Sequence, residues 1–178
     1  RLFRCASGAF TAVEIHYFAD KYGKSYAEVL GELVEAGLGS LPGGGAEIFH
    51  PRARKKLCHD KVDADGWLDV HRVAHRMGLR SNATMLFGSI ETTEERVDHM
   101  LRLRALQDET GGFQTFIPLR FHHENNRLQR LKEPTGYESL RTYAVARLLL
   151  DNFDHIKAYW PMLGTKLAQI SLAWGVDD

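Results

Sequence analysis

The sequence predicts an α/β fold with a parallel sheet, organised as part of a (β/α)8 barrel. Helical and strand-like segments alternate along the 178 residues in the order βαβαβαβα. Strands separated by crossover helices run parallel, and parallel sheets are either covered on both faces or closed into a barrel. Strand centres recur about every 33 to 44 residues, the length of one unit of a large barrel, so about five units are expected.

Each element follows from its own residues. Residues 14–22 read as a helix, and a second opens at Ser25, where Glu28 three positions on completes a capping box, and closes at Gly37. A short strand then leads into Leu41-Pro42-Gly43-Gly44-Gly45-Ala46-Glu47-Ile48-Phe49. Residues 65–77 are helical by the spacing of Trp67, Val70, Val73, Ala74 and Met77, with Gly78 as the stop. Residues 79–87 form a strand. A helix starting at Thr93 carries the apolar line Val97, Met100, Leu101, Leu103 and Leu106 and ends at Gly111-Gly112. Residues 113–121 read as a strand, 137–153 as an apolar helix, 156–163 as a strand, and 165–174 as a last helix that Gly175 ends.

Composition narrows the function classes. With 44% hydrophobic and 26% charged residues the chain has an ordinary globular balance. Its 23 basic and 23 acidic residues cancel, leaving no field that favours nucleic acid or an anionic membrane surface. No apolar run approaches the roughly 20 residues of a membrane span, and no signal-peptide pattern is present, so the chain reads as cytoplasmic. Cys5 and Cys58 are too few for a disulfide framework or a thiolate-held cluster and read as unpaired thiols.

In parallel α/β folds, chemistry gathers at the carboxyl ends of the strands, where loops converge. Glu47, Asn82, Thr84, Glu91, His122, Glu124, Tyr159 and Trp160 fall at or just past such ends. Gly43, Gly44 and Gly45 let a backbone approach a ligand and expose its N–H groups, although turns use glycine as readily. Other features call for no function. His71 and His75 stand four apart on one helix face, but Arg72 occupies the place of a metalloprotease glutamate, so they read as solvated helix histidines. His122-His123 needs ligands from elsewhere to hold a metal, and no metal site is expected. Glu94, Glu95, Arg102 and Arg104 read as a helix exterior.

Several motifs carry a resemblance. They are residues 9–15 (Ala-Phe-Thr-Ala-Val-Glu-Ile), the glycine loop from Leu41 to Phe49, Ser81-Asn82-Ala83-Thr84-Met85-Leu86, Glu94-Glu95-Arg96-Val97-Asp98-His99, residues 106–113, Phe116-Ile117-Pro118-Leu119, residues 149–153 and Ile156-Lys157-Ala158-Tyr159-Trp160. In order and spacing, the chain from Ala9 onward resembles the radical S-adenosylmethionine enzymes of the futalosine route to menaquinone. The dehypoxanthine futalosine cyclases and the deazaflavin-forming synthases share variants of these motifs. Gly43 to Phe49 and residues 108–113 look more like the aminofutalosine synthases.

The resemblance implies a TIM barrel of the radical S-adenosylmethionine type, with this chain supplying about strands 3 to 7. It implies S-adenosylmethionine and a 4Fe-4S cluster as cofactors, and a reductant such as flavodoxin or ferredoxin. The implied reaction adds the 5'-deoxyadenosyl radical to the enol ether of 3-[(1-carboxyvinyl)oxy]benzoate; an aryl shift and loss of the carboxylate carbon then give aminofutalosine. Gly43, Gly44 and Gly45 are assigned to backbone approach, and Glu47 either to the polar part of S-adenosylmethionine or to capping a helix near Pro51. Asn82 and Thr84 either bind the cofactor's ribose or amino-acid part, or satisfy each other. Arg120 and His122 are candidates for the substrate carboxylates, with a surface role open for Arg120. No catalytic residue is assigned.

Departures qualify the resemblance. Phe87-Gly88-Ser89-Ile90-Glu91 stands where Tyr-Gly-His precedes the acidic residue in the family, and His123 and Asn126 stand where proline and threonine are common. Residues 1–8 do not match the apolar strand expected before Ala9. The Cys-x-x-x-Cys-x-x-Cys loop, the first two strands and the last are missing, so residues 1–178 are expected to be the middle of one barrel domain and inactive alone. The alternatives are a dehypoxanthine futalosine cyclase or related enzyme and, in another class, a non-catalytic truncated ligand-binding remnant.

Overall fold

A computed structural model describes residues 7–125 and 127–178. The elements in chain order are β1 (Ser7–Gly8), α1 (Ala12–Tyr22), α2 (Tyr26–Glu35), β2 (Leu38–Leu41), α3 (Pro51–Leu57), α4 (Ala64–Arg76), β3 (Arg80–Phe87), α5 (Thr93–Thr110), β4 (Phe113–Arg120), α6 (Gly136–Leu149), β5 (His155–Ile156), α7 (Trp160–Leu163) and α8 (Thr165–Ser171), followed by a 3-10 turn, Leu172–Trp174.

All four strand pairings are parallel, and the sheet order is β1-β2-β3-β4-β5. Strict sequential order without reversal is the wiring of successive β/α units in a barrel; a doubly wound sheet switches direction instead. Burial agrees. On β3, Ser81, Ala83, Met85 and Phe87 are buried, whereas Asn82 and Leu86 on the other face are half-open. The register carries this across, with Asn82 beside Thr115, Thr84 beside Ile117 and Leu86 beside Leu119, and these β4 residues are half-open too. The helices therefore cover one face of the sheet, as on the outside of a barrel.

Local chemistry places the helix ends. The Ser25 hydroxyl accepts from the Glu28 N–H, and the Glu28 carboxylate accepts from the Ser25 N–H at 2.8 Å. Thr92 and Glu95 repeat the motif at α5, and Gly111 at φ 60 ends that helix in the left-handed region. The core joins helices and strands through aromatic contacts: Trp67 lies 5.4 Å from Phe49 and 6.2 Å from Phe113, which stacks 5.4 Å from Phe153.

Three expectations need correction. The strand expected over 156–163 is only His155–Ile156, because Pro161 cannot donate to a ladder and instead enters the first turn of α7. The helix expected to reach residue 153 ends at Leu149, where Leu150 turns to φ −109, ψ 50 and Arg104 donates to the Leu149 carbonyl. Before Ala9, Ser7 and Gly8 pair with β2 despite their lack of apolar character. Cys5 lies outside the described residues.

Candidate functional site

The glycine loop leaves the carboxyl end of β2 and crosses its neighbours at close range. A Cβ on Gly43 would meet the Asn82 carbonyl oxygen at 2.7 Å and the Ala83 carbonyl carbon at 2.9 Å. On Gly44 it would meet Thr11 Cγ2 at 2.9 Å, and on Gly45, at φ 84, Val13 Cγ2 at 2.3 Å. The three glycines are thus needed for the loop to lie against β3 and the start of α1, a demand made by the protein itself. Two side chains latch it there: Thr84 Oγ1 donates to the Gly43 carbonyl at 2.5 Å, and Trp67 Nε1 to the Gly44 carbonyl at 3.1 Å.

Arg54, from α3, shapes the next three peptides. The residue is 5% exposed, and its guanidinium donates to the carbonyls of Gly45 (3.0 Å), Ala46 (2.6 Å), Ile48 (3.4 Å) and Val62 (3.0 Å). At the exit the Phe49 N–H donates to His99 Nδ1 at 3.2 Å, and His99 Nε2 in turn faces the Thr84 carbonyl at 2.9 Å. Those contacts assign the proton to Nε2. Burial holds the His99 pKa down at about 3, so the ring is neutral.

Glu47 sits at φ 46, a left-handed conformation uncommon for a non-glycine residue. Its carbonyl accepts from the Leu86 N–H at 2.8 Å, and its side chain, 22% exposed, pairs through the carboxylate with Lys61 at 2.8 Å. It does not cap the helix at Pro51: His50 holds that cap position, with no side-chain bond to the helix.

Other candidates sort by position. Asn82 and Thr84 share the half-open face of the sheet, but both lie inside β3 and short of its carboxyl end. They do not bond each other. The Thr84 hydroxyl goes to Gly43, and the Asn82 carbonyl forms the surface against which Gly43 packs. Arg120 ends β4 and donates to the Pro134 carbonyl at 2.6 Å and to Glu133 at 3.3 Å, in register with Phe87 on the helix-covered face. His122 follows on the exposed loop. The structure therefore brings Gly43, Gly44, Gly45, Glu47 and Thr84 together and places Arg120 and His122 on a separate strand end.

Sequence reasoning missed the supports of this loop: Arg54, His99 and Trp67. It also misjudged His71 and His75. His71 is fully buried, stacks 3.7 Å from Trp67 and donates to the Trp67 carbonyl at 3.0 Å; burial lowers its pKa to about 3. His75 lies between Thr110 and Ser81, each at 2.7 Å. Glu95, expected on the helix exterior, is 5% exposed and chelated by Arg52 at 2.8 and 2.6 Å. Glu91 closes the loop after β3 by accepting from the Gly88 and Ser89 N–H groups and pairing with Arg96 at 2.7 Å.

The described residues do not fit an iron-sulfur cluster. Among the described residues no group of three His, Cys, Asp or Glu is placed to hold a metal, and burial of Cys58 pushes its thiol pKa up, away from the thiolate a cluster needs. Among them, too, no helix is long and apolar enough to cross a membrane.

Comparison with known proteins agrees with the motifs. Residues 110–178 match the family described as the CofH/MqnC C-terminal region. The chain is similar to the aminodeoxyfutalosine synthases of Thermus thermophilus, 59% identical over 174 residues, and Streptomyces coelicolor, 50% identical over 180. Each alignment covers 96% of this chain and 47% or 46% of the relative. It is also 40% identical over 167 residues to the cyclic dehypoxanthine futalosine synthase of Streptomyces coelicolor, covering 94% of the chain and 42% of that protein. The chain thus spans about half the length of the curated relatives it matches.

Proposed function

Given that this chain belongs to the radical S-adenosylmethionine enzymes of the futalosine pathway, we propose that it is the middle portion of a single barrel whose parent is an aminodeoxyfutalosine synthase. The observation that carries this reading is the 59% identity to the Thermus thermophilus synthase over 96% of the chain, against 40% to the cyclic dehypoxanthine futalosine synthase. The proposed substrate is 3-[(1-carboxyvinyl)oxy]benzoate and the product aminofutalosine, made in the cytoplasm with an electron donor such as flavodoxin or ferredoxin. S-adenosylmethionine supplies the 5'-deoxyadenosyl group that joins the substrate.

This chain's contribution is to bind and orient. The glycine loop offers backbone groups to the cofactor, and the Glu47 carboxylate accepts from its polar part, exchanging Lys61 for the ligand. Asn82 and Thr84, on the half-open face, lie where a barrel interior would form, and Arg120 and His122 serve the substrate carboxylates from the β4 end. Fixing both reactants in near-attack geometry and excluding water is the physical demand that such a reaction makes. The 4Fe-4S cluster of the family belongs, in this reading, to a part of the parent outside this chain.

The test is a chimera that carries the flanking segments of a close relative, assayed anaerobically under reducing conditions for aminofutalosine. Glu47→Gln should weaken turnover or cofactor affinity by one to two decades, the equivalent of about 1.5 to 3 kcal/mol for a charge-assisted hydrogen bond. A loss well under tenfold would remove Glu47 from the cofactor site. Cyclisation of dehypoxanthine futalosine by the chimera would move the assignment to the sister enzyme.

A further inference from the structure

We infer that the loop after β4 forms a subsite for an uncharged, hydroxyl-rich ligand, a sugar carrying a vicinal diol, with His123 as the buried residue that receives it. Two observations carry this. The first is a side chain without partners. His123 is 4% exposed, its ring stands 4.9 Å from that of Phe121, and neither ring nitrogen has a hydrogen-bond partner among the described residues. His71 and Asn152 also hold an orphaned atom, but each keeps a bond through another. Buried polar groups are ordinarily satisfied, because an unmade bond costs the group its hydration with nothing in return. An imidazole left bare at both nitrogens therefore marks a place for a ligand.

The second is a cavity. Residues 121–135 join β4 to α6, and a connection of that length in a compact domain is commonly a functional one. Asn125, at φ 57, curls it. His123, Glu124, Asn125, Gln129, Leu131 and Glu133 line a cavity of about 430 Å³, and the Glu133 carboxylate is held by Arg120 at 3.3 Å. These groups narrow the chemistry by what each ligand class would leave unmatched. An anion would face two carboxylates. An ammonium donates but cannot accept, so the imidazole N–H would stay orphaned. Among the described residues no three His, Cys, Asp or Glu side chains are placed to hold a metal ion, and an apolar ligand would meet only Leu131. A hydroxyl both donates and accepts, which is what an uncharged imidazole asks of partners at its two nitrogens. Two adjacent hydroxyls also match the two oxygens of a carboxylate and the two ends of a carboxamide. This subsite lies at the β4 end, apart from the glycine loop, and holds whether or not the cofactor and carboxylate roles proposed above do.

The test follows the His123 ring signals of the 15N-labelled chain, assigned by their loss in His123→Gln. Methyl β-D-ribofuranoside should shift them saturably, and its 2-deoxy analogue, which lacks the diol, should bind roughly tenfold or more weakly. Sodium acetate and spermidine, each compared with sodium chloride at equal ionic strength, should leave the ring near its free position. His123→Leu, close in volume but without nitrogens, should weaken riboside binding by a similar factor in a chain that circular dichroism shows to be folded. If that variant unfolds, the wild-type titrations decide alone. A ring that the riboside does not move, equal affinity for the two ribosides, or riboside binding unchanged in a folded His123→Leu chain overturns the subsite. A ring that acetate or spermidine moves more readily than the riboside overturns the sugar as its ligand.

Discussion

Mild acid should destabilise this fold well before its carboxylates protonate. His71 and His99 are fully buried, and burial holds both pKa values at about 3 against an ordinary 6.5. A folded pKa below the unfolded one means that the unfolded chain binds the extra proton, so stability is complete above pH 6.5 and is lost as pH falls from there toward 3. Each group contributes about 1.4 kcal/mol per pH unit well below its unfolded pKa and about half of that at pH 6.5, so between pH 6.5 and 5 the two together remove about 3 kcal/mol, a large share of a typical domain's roughly 5 to 15. His75, lowered to about 4 and less deeply buried, adds a smaller increment in the same direction. The carboxylates with depressed values, such as Glu95 beside Arg52 and Asp177 beside His155, lose their contribution only below about pH 4.5. Urea unfolding followed by tryptophan fluorescence at pH 7.5, 6.0 and 5.0 would trace the slope. His99→Gln retains a donor for Thr84 and an acceptor for Phe49 but does not titrate, so it should remove about half of it. Stability that stays flat from pH 7.5 to 5.0, or a slope unchanged by His99→Gln, would refute the reasoning.

Two further perturbations probe the loop and its neighbour. Gly43→Ala drives a methyl into the Asn82 and Ala83 backbone and should cost about 1 to 3 kcal/mol in urea unfolding, whereas Gly78→Ala, at φ 83 with nothing within 4 Å, should cost about 1 from backbone strain alone. Equal losses would show that the loop yields. Glu91→Ala removes a carboxylate whose side chain is fully buried and leaves Arg96 with Glu138, so about 3 kcal/mol should be lost; a change under 1 would mean that Glu138 compensates.

What could be read from the sequence follows the range of the forces involved. The Ser25–Glu28 box, the Gly111 stop and the alternation of strand and helix are local, and they locate the parallel sheet and its order. Local signals also misled. Residues 156–163 are apolar enough for a strand, but Pro161 turns them into α7. Arg54 lies in Pro51-Arg52-Ala53-Arg54-Lys55-Lys56, which reads as a solvated basic face; its burial depends on carbonyls that a loop with two left-handed residues turns toward it. His71 and His99 look like surface histidines until Trp67 and Phe49 stack on them.

The bonds that shape the glycine loop fall into two ranges along the chain. Those from Arg54 span six to nine residues, whereas the latches from Trp67, Thr84 and His99 span 23, 41 and 50. Contacts close in sequence form with little loop-closure entropy, and distant ones wait for the elements that carry them. The curl around Arg54 can therefore arise early in folding, before β3 and α5 are in place to seat it. In the native protein the order runs the other way: an opening that frees Trp67, Thr84 and His99 can lift the segment from the sheet with its curl intact, as a hinged unit of low local stability.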